Sequence, residues 1–546
     1  MNSEFSYKII KNLMQWGVRE FYVCAGARNV PLIELLLSNK EIKIYSHFDE
    51  RSLAFYALGR MKALNSPVAV IVTSGTAVAE LFPAVIEAYY SDLPLVVVTA
   101  DRPKKQRGTG SPQTIEQKNI FGNYVSVCID IEAHDEFNIS CYRKNKPIHI
   151  NPCFDVPLQS NEIKEYNFDN LIKDNIGELT LNYSNEFEVF KKFISESKNL
   201  LVLVSKNYIE NKSVLINFLR YLNRPVYLES ISNLRECEEL NEIKILFANN
   251  LWERAKHLKL DFDSVLKIGN TPTHKIWREI DESNLKLNVL SISESHFSGS
   301  YKADHLQVNF RDFFPKLKEI LLSDFNIVNK KMELLINQSY DNYCSALEIL
   351  NEFPNSEHSF LHKLSLKIPK KSLIYLGNSL PIRTWDLIAT YENKDLQIEA
   401  SRGANGIDGQ ISTFLGCAVE NKLNIGIFGD LTTLYDLQSL WAQYNKNIAF
   451  IIFIINNSGG QIFNSVLGGE TVDFCKNNHD LQFKSWAEMW NINYQLIEDI
   501  NQLNDINFEF INNMKLIVEI KPCNLETENF GKKLKSIQLN SGLYSK

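Results

Sequence analysis

"PVAVIVTSGTAVAELFPAVIEAYYSDLPLVVVTADRP", residues 67–103, decides the fold. Val68–Val72 is an apolar, β-branched run bounded by Pro67 and by Ser74-Gly75. Residues 76–90 carry apolar side chains at helical spacing, and Leu95–Thr99 form a second apolar run. Neither run alternates with polar residues, so both read as strands covered on two faces. Strand, helix and strand with short connections specify a parallel βαβ unit. "EFYVCAGA" (20–27) and "KIYSHFDE" (43–50) add two strand ends to the same layer.

The pattern returns twice. "NLLVLVSK" (199–206), "PVYLES" (225–230), "SVLKIGN" (264–270) and "LNVLSIS" (287–293) form one later set of short strands. "SLIYLGN" (372–378), "LQIEAS" (396–401), "LNIGIFGD" (423–430), "NIAFIIFIINN" (447–457) and "KLIVEIKP" (515–522) form another. An α/β chain of three successive doubly wound parallel-sheet domains is the expectation. The pattern lapses in the polar, acidic stretch 158–198 and in the polar, helical-looking stretch 324–350. The expected domains are therefore 1–180, 181–345 and 346–546.

Bulk properties agree. A chain of 546 residues exceeds one core, and 45% apolar with 23% charged residues is ordinary for a globular protein. The net charge of −7 disfavours nucleic acid or an anionic membrane as the main partner. Nine scattered cysteines without a CxxC pair fit reduced thiols better than disulfides or zinc. The N-terminal segment reads as an amphipathic helix with Ile9, Ile10, Leu13 and Met14 on one side. It lacks the uninterrupted apolar core of a signal peptide, and no apolar run reaches membrane-spanning length. These readings point to a cytoplasmic protein.

Ligands of doubly wound sheets sit at the carboxyl ends of strands. Those ends are polar here: "GAR", "HFDER", "TSGT", "TADRP", "GNS", "SRG", "GD" and "NNSGG". Asp430 and Asn457 close two strands 27 residues apart, and Gly459 follows in a glycine turn. A carboxylate, an amide oxygen and a backbone carbonyl are hard ligands suited to magnesium, which lets phosphate oxygens and water complete its octahedron. The residues between, "LTTLYDLQSLWAQYNKN", read as a helix whose first amides could face a diphosphate. Simple capping by Asp430 and an asparagine turn account for the pair equally well. Glu50 opens a helix rich in small apolar residues. It reads either as a carboxylate favoured by the helix dipole or as a half-buried acid that shares a proton with a cofactor nitrogen.

Several motifs together narrow the choice. "FDERSLAFYALG", the 67–103 segment after Val72, "GSPQTIEQ", "PIHIN", "GNSLPIR", "SRGANGIDGQISTFLG", "GDLTTLYDLQSL" and "INNSGGQIF" resemble the 2-succinyl-5-enolpyruvyl-6-hydroxy-3-cyclohexene-1-carboxylate synthase family of thiamine-diphosphate-dependent enzymes, in family order over residues 20–463. The resemblance implies a homo-oligomer, dimer or tetramer, with thiamine diphosphate held between two subunits. It implies that Glu50 hydrogen-bonds the pyrimidine ring and that Asp430, Asn457 and Gly459 hold Mg²⁺ or Mn²⁺ on the diphosphate. Gly75 and Thr76 would contact the cofactor, and Ile407 would be the apolar wedge that bends it.

The implied reaction is decarboxylation of 2-oxoglutarate followed by conjugate addition of the succinyl-semialdehyde carbanion to isochorismate, in menaquinone biosynthesis. Both substrates are dicarboxylates, so the pocket must be cationic, and arginine binds carboxylates bidentately. By resemblance Ser379, Arg383 and Arg402 serve the oxoacid side, while Arg28, Arg102, Gln113 and Lys275 face isochorismate. For any one of these cations a surface ion pair is the ordinary alternative. Ala27 in "CAGAR" stands where the family usually has serine, removing a hydrogen bond of about 1 kcal/mol. A related thiamine-dependent decarboxylase or carboligase with another acceptor, and a non-catalytic binding protein on the same fold, are the competing readings.

Overall fold

The computed structural model describes all residues except 41, 143–144, 160–165, 167, 169–182, 283–285, 321–329, 445–446, 510–511 and 541–546. The expected boundary at 180/181 and the start of the expected helical stretch, 324–329, lie outside the described residues.

The first sheet is built from β1 (Glu20–Val23), β2 (Lys43–Ser46), β3 (Val68–Val72), β4 (Leu95–Thr99), β5 (Cys128–Ile131) and β6 (Ile148–Pro152). The second holds β7 (Leu200–Val204), β8 (Val226–Leu228), β9 (Lys244–Ile245), β10 (Ser264–Ile268), β11 (Asn288–Ser293) and β12 (Asp304–Gln307). The third holds β13 (Leu373–Leu376), β14 (Gln397–Glu399), β15 (Asn424–Gly429), β16 (Phe450–Ile455), β17 (Asn493–Ile497) and β18 (Lys515–Ile520). All three sheets are parallel, and β3, β4, β7, β10 and β16 are buried along their full length. Helices on both faces explain why these strands read as unbroken apolar runs.

The strand orders differ. The first and third sheets run β2-β1-β3-β4-β6-β5 and β14-β13-β15-β16-β18-β17, while the middle sheet runs β12-β11-β10-β7-β8-β9. Counted from its own first strand, the middle sheet has the 3-2-1-4-5-6 order of dinucleotide folds. In the other two the order reverses between β1 and β3 and between β13 and β15, which opens a crevice at their carboxyl ends.

Two compact units result. One comprises Met1–Thr180, Gly403–Asn421 and Thr432–Ile448; the other comprises Leu181–Arg402, Lys422–Leu431 and Ala449–Lys546. The first unit has a close helix crossing at its centre. The helix Gln410–Cys417 lies on the helix Glu50–Leu64 with Gly416 against Tyr56 and Gly59 against Thr413. A Cβ on either glycine would fall about 2 Å from a backbone oxygen, 2.1 Å at Gly416 and 2.0 Å at Gly59. Small residues in "FYALGR" thus serve backbone approach.

Two predicted helices are corrected. Residues 76–90 form Thr76–Ala79 and Phe82–Tyr90, because Pro83 in the first turn of the second helix lacks the N–H needed to continue the first. The helix expected over 431–447 is not one helix either over the described residues 431–444. A five-residue helix, Asp430–Leu434, is followed by a 3₁₀ segment, Ser439–Tyr444. Between them the buried Asp436 turns its carboxylate to the Ser412 N–H and hydroxyl, at 2.7 and 2.9 Å. That local bond competes with continued helix. The N-terminal helix Asn2–Trp16 forms as expected and buries Ile9, Ile10, Leu13 and Met14. Among the described residues no helix is long and apolar enough to cross a membrane.

Candidate active site

The third sheet places its polar strand ends at the crevice between β13 and β15. Asp430 follows β15 directly, is 2% exposed, and accepts the Leu431 N–H on Oδ1 at 2.6 Å and the Gly459 N–H on Oδ2 at 2.8 Å. Burial raises its pKa, against the opposing pull of those amides and of His479, whose Nε2 lies 3.4 Å from Oδ2. Asp430 and the loop after β16 are thus side by side.

The twin asparagines part company there. Asn456 Nδ2 donates to Glu519 on β18 at 2.7 Å and to the Leu481 carbonyl at 2.8 Å, a structural role that matches the plain-turn reading. Asn457 instead donates Nδ2 to Glu357 Oε2 at 2.9 Å, while its backbone carbonyl accepts from Gln461 and Asn524. Its side-chain oxygen is the end of the amide not committed by that bond. Gly459 sits at φ 124°, and a Cβ there would lie 2.5 Å from the Lys476 carbonyl, so only glycine fits. Its own carbonyl accepts the Gln461 N–H at 2.8 Å, which leaves one lone pair for another partner. A carboxylate, an amide oxygen and a carbonyl are the donor set a small hard cation takes. These residues fit a magnesium diphosphate.

The cations expected to serve the oxoacid lie in the same unit. Arg402 is 5% exposed and donates to Asn378 Oδ1 at 3.2 Å and to the Pro272 carbonyl at 2.9 Å. Asn378 precedes Ser379, which holds φ 75° at the start of the helix Leu380–Ile388, and Arg383 donates to the Ser379 carbonyl at 2.5 Å. A non-glycine residue in that conformation is strained and recurs at binding sites. Lys275 follows the loop that Arg402 grips, and its Nζ pairs with Glu279 at 3.1 Å on the surface. For Lys275 the structure thus shows the ordinary surface pair.

The first unit gathers the other predicted residues. Glu50 is half-buried one position after the N-cap Asp49, whose carboxylate accepts the Ser52 N–H at 2.7 Å. Burial raises its pKa, the Glu50 N–H opposes this, and the charges of Asp49 and Glu80 add to the rise. That suits a carboxyl that must hold a proton. Gly75 and Thr76 follow β3 as the N-cap and first residue of the helix Thr76–Ala79; the Gly75 N–H donates to Gln117 Oε1 at 3.0 Å, and Gln113 packs against Gly75. Arg28 is buried and donates to the Phe154 carbonyl at 2.8 Å. Burial lowers its pKa, and the positive charge of Arg102 lowers it further. Arg102 keeps a buried Nε with no hydrogen-bond partner among the described residues. Two neighbouring cations, one with an unused donor, fit an anionic ligand. Ile407 is half-buried in a loop whose Gly403 and Ala404 N–H groups donate to Glu87, at 2.9 and 2.7 Å.

Sequence reasoning missed the residues that orient these groups. Gln117 passes its amide to Asn151 at 2.9 Å, and Asn151 in turn holds Asp101 and Asp130. Arg107 lies among Asp101, Asp130 and Cys153, with Nη2 2.9 and 2.6 Å from the two carboxylates, so that acidic cluster already holds a guanidinium. Gln117, Glu87 and Asn151 lie inside quoted motifs, which signalled them without naming their partners. Glu357 and His479 lie outside those motifs and far in the chain from Asn457 and Asp430.

The fold and these two sets of strand-end residues define the class of thiamine-diphosphate enzymes. The model of the thiamine pyrophosphate enzyme N-terminal TPP binding domain matches residues 4–120. A solved structure, benzoylformate decarboxylase from Polynucleobacter necessarius, superposes with a TM-score of 0.69 at 12% identity, covering 95% of this chain and 98% of its own. The 2-succinyl-5-enolpyruvyl-6-hydroxy-3-cyclohexene-1-carboxylate synthase of Bdellovibrio bacteriovorus is 37% identical over 97% of this chain and 98% of its own. The synthase of the same name from Akkermansia muciniphila is 32% identical over 99% and 100%. The chain belongs to the 2-succinyl-5-enolpyruvyl-6-hydroxy-3-cyclohexene-1-carboxylate synthase family.

Proposed function

We propose that this enzyme decarboxylates 2-oxoglutarate and adds the four-carbon fragment to isochorismate, in menaquinone biosynthesis, as a cytoplasmic homo-oligomer. The observation that carries the reading is the convergence of Asp430, Asn457 and Gly459 at the ends of β15 and β16, with the Gly459 N–H on Asp430 at 2.8 Å. When bound, thiamine diphosphate supplies the electron sink that a 2-oxo acid needs to lose CO₂. Asp430, Asn457 and the Gly459 carbonyl would hold its divalent ion, and Gly75, Thr76 and Ile407 would line the cofactor. Glu50 would hold a proton at its carboxyl beside the pyrimidine ring. Ser379, Arg383 and Arg402 would grip the oxoacid carboxylates, and Arg28, Arg102 and Gln113 those of isochorismate; Lys275 would join them only on leaving its surface pair with Glu279. Guanidinium groups bind carboxylates bidentately and would orient each substrate before reaction. The domain limits proposed are 1–180 for the pyrimidine side, 181–345 for the central layer and 346–546 for the diphosphate side.

Product analysis tests the reading. With thiamine diphosphate, Mg²⁺ and 2-oxoglutarate, adding isochorismate should convert the output from succinic semialdehyde to the carboligated acid. Turnover indifferent to isochorismate, with only the semialdehyde formed, would assign the chain to a decarboxylase with another acceptor. Asn457→Ala tests the metal site separately. It should raise the Mn²⁺ half-saturation by more than about 100-fold, since partners outside the coordination sphere alone are worth 10–100-fold. The cofactor-free protein should still fold and melt cooperatively. Unaltered Mn²⁺ affinity would return the loop to a simple turn.

A further inference from the structure

An asparagine that serves a metal must present its oxygen, yet its amide is nearly symmetrical in shape. Something has to choose the end. In this protein the neighbour of the Asn457 amide is Glu357, 2% exposed, in the first turn of the helix Glu357–Lys367. Its Oε2 receives Asn457 Nδ2 at 2.9 Å, and its Oε1 lies 3.2 Å from the Thr384 hydroxyl. Ser356 caps the helix, and the Glu357 N–H is held by Thr527 Oγ1 at 2.9 Å. Among the described residues no lysine or arginine forms an ion pair with Glu357. A buried carboxylate with no cation is costly, and a glutamine or an apolar side chain would fill the space more cheaply.

We propose that Glu357 is a positioning residue for the metal site: it takes the Asn457 amide N–H, turns Oδ1 towards the ion, and ties that amide through Thr384 to the helix that carries Arg383. The proposal rests on the reading of Asn457 as a metal ligand. It does not depend on the protonation of Glu357, because Oε2 accepts from Nδ2 whether or not Oε1 carries a proton. Without that acceptor the amide can rotate by half a turn and offer its NH₂ group, which repels a cation. Partners that orient metal ligands in this way are worth 10–100-fold in affinity. The link to Thr384 joins this order to the oxoacid side, since Thr384 is the residue after Arg383. A purely structural glutamate at a helix start would matter to stability and leave the metal alone.

Mn²⁺ titration followed by electron paramagnetic resonance, on the full-length protein with thiamine diphosphate, separates the two. Glu357→Leu should raise the Mn²⁺ half-saturation about 10–100-fold. Glu357→Gln should stay within about threefold, because the amide oxygen accepts the same bond and its NH₂ can turn to the Thr384 hydroxyl. Glu357→Met, which keeps the length of the side chain without the acceptor, should lose affinity as Glu357→Leu does. Unchanged Mn²⁺ affinity in Glu357→Leu, or equal losses in Gln and Leu, would overturn the proposal. Should Glu357→Leu fail to fold, Glu357→Met against Glu357→Gln decides alone. Asn457→Ala serves as the control: if it leaves Mn²⁺ affinity intact, the ligand reading itself fails. If it weakens Mn²⁺ while Glu357→Leu does not, only the positioning role is lost.

Discussion

Glu50→Gln should reduce carboligation by about 10²–10⁴-fold, the usual worth of a positioned proton-transfer group. Thiamine diphosphate and Mg²⁺ should bind within a few-fold of the parent, as judged by quenching of intrinsic fluorescence on titration. The amide keeps the size and the hydrogen-bonding reach of the carboxyl but cannot take up or release a proton near neutral pH. The pKa of Glu50 is raised chiefly by burial, and the charges of Asp49 and Glu80 push the same way. That shift brings the carboxyl nearer to the working pH than a surface glutamate would be. Full activity in Glu50→Gln would remove this residue from the chemistry and return it to the helix-dipole role.

The second large effect concerns stability and lies at the opposite end of the first sheet. Glu20, the first residue of β1, is gripped by Arg60 through Nε on Oε2 and Nη2 on Oε1, both at 3.0 Å, with side chains 3% and 5% exposed. Tyr22 adds a hydrogen bond, and Tyr22 stacks on Tyr45 with ring centroids 5.1 Å apart. Removing one partner of such a pair strands the other charge in the interior. Arg60→Leu should therefore cost about 3–5 kcal/mol, read from the denaturation midpoint of the cofactor-free protein. A loss below about 1 kcal/mol, as exposed pairs give, would show that the pair contributes little.

The pH dependence of the same pair has a definite sign. Burial acts to raise the pKa of Glu20, but the hydrogen bonds from Arg60 and Tyr22 and the charges of Arg60 and Lys43 win, and the folded value falls below 4.5. The stability this contributes is present above about pH 4.5 and is lost as pH falls through the lower folded pKa. In Arg60→Leu only burial and weaker partners remain, so the pKa of Glu20 rises. The deficit of the variant against the parent should then shrink on acidification from pH 7 to 4. A deficit that stays constant or grows over that range would contradict the assignment.

Much of the fold was legible because it rests on local signals. Central strands such as β3, β4 and β16 are buried on both faces, so their apolar runs announce them. Of the strands that no apolar run announced, β6 lies inside the first sheet, its run interrupted by His149 and Asn151, while β5, β9, β12 and β17 each lie at a sheet edge with one neighbour. There, polar residues such as Asp130, Lys244, Asp304 and Gln495 interrupt the pattern. The broken helix at Pro83 was readable in principle from proline chemistry. The break at Asp436 was not, because its cause, Ser412, is 24 residues away.

The candidate site divides along the same line. Sequence alone determined which residues stand at strand ends, because polar residues interrupt apolar runs there, and family motifs attach roles to Glu50, Asp430, Asn457 and Gly459. Only the tertiary structure decided which partner each of two adjacent asparagines takes, since both have the same chemistry: Glu519 for Asn456, Glu357 for Asn457. It also decided that the middle sheet is wound in a different strand order from its neighbours, and that Lys275 sits in a surface pair. The physical reason is common to all three. Hydrogen bonds and strand pairing act over a few ångströms in space, and residues 63 or 100 positions apart in the chain give no local sign of the contact they will make.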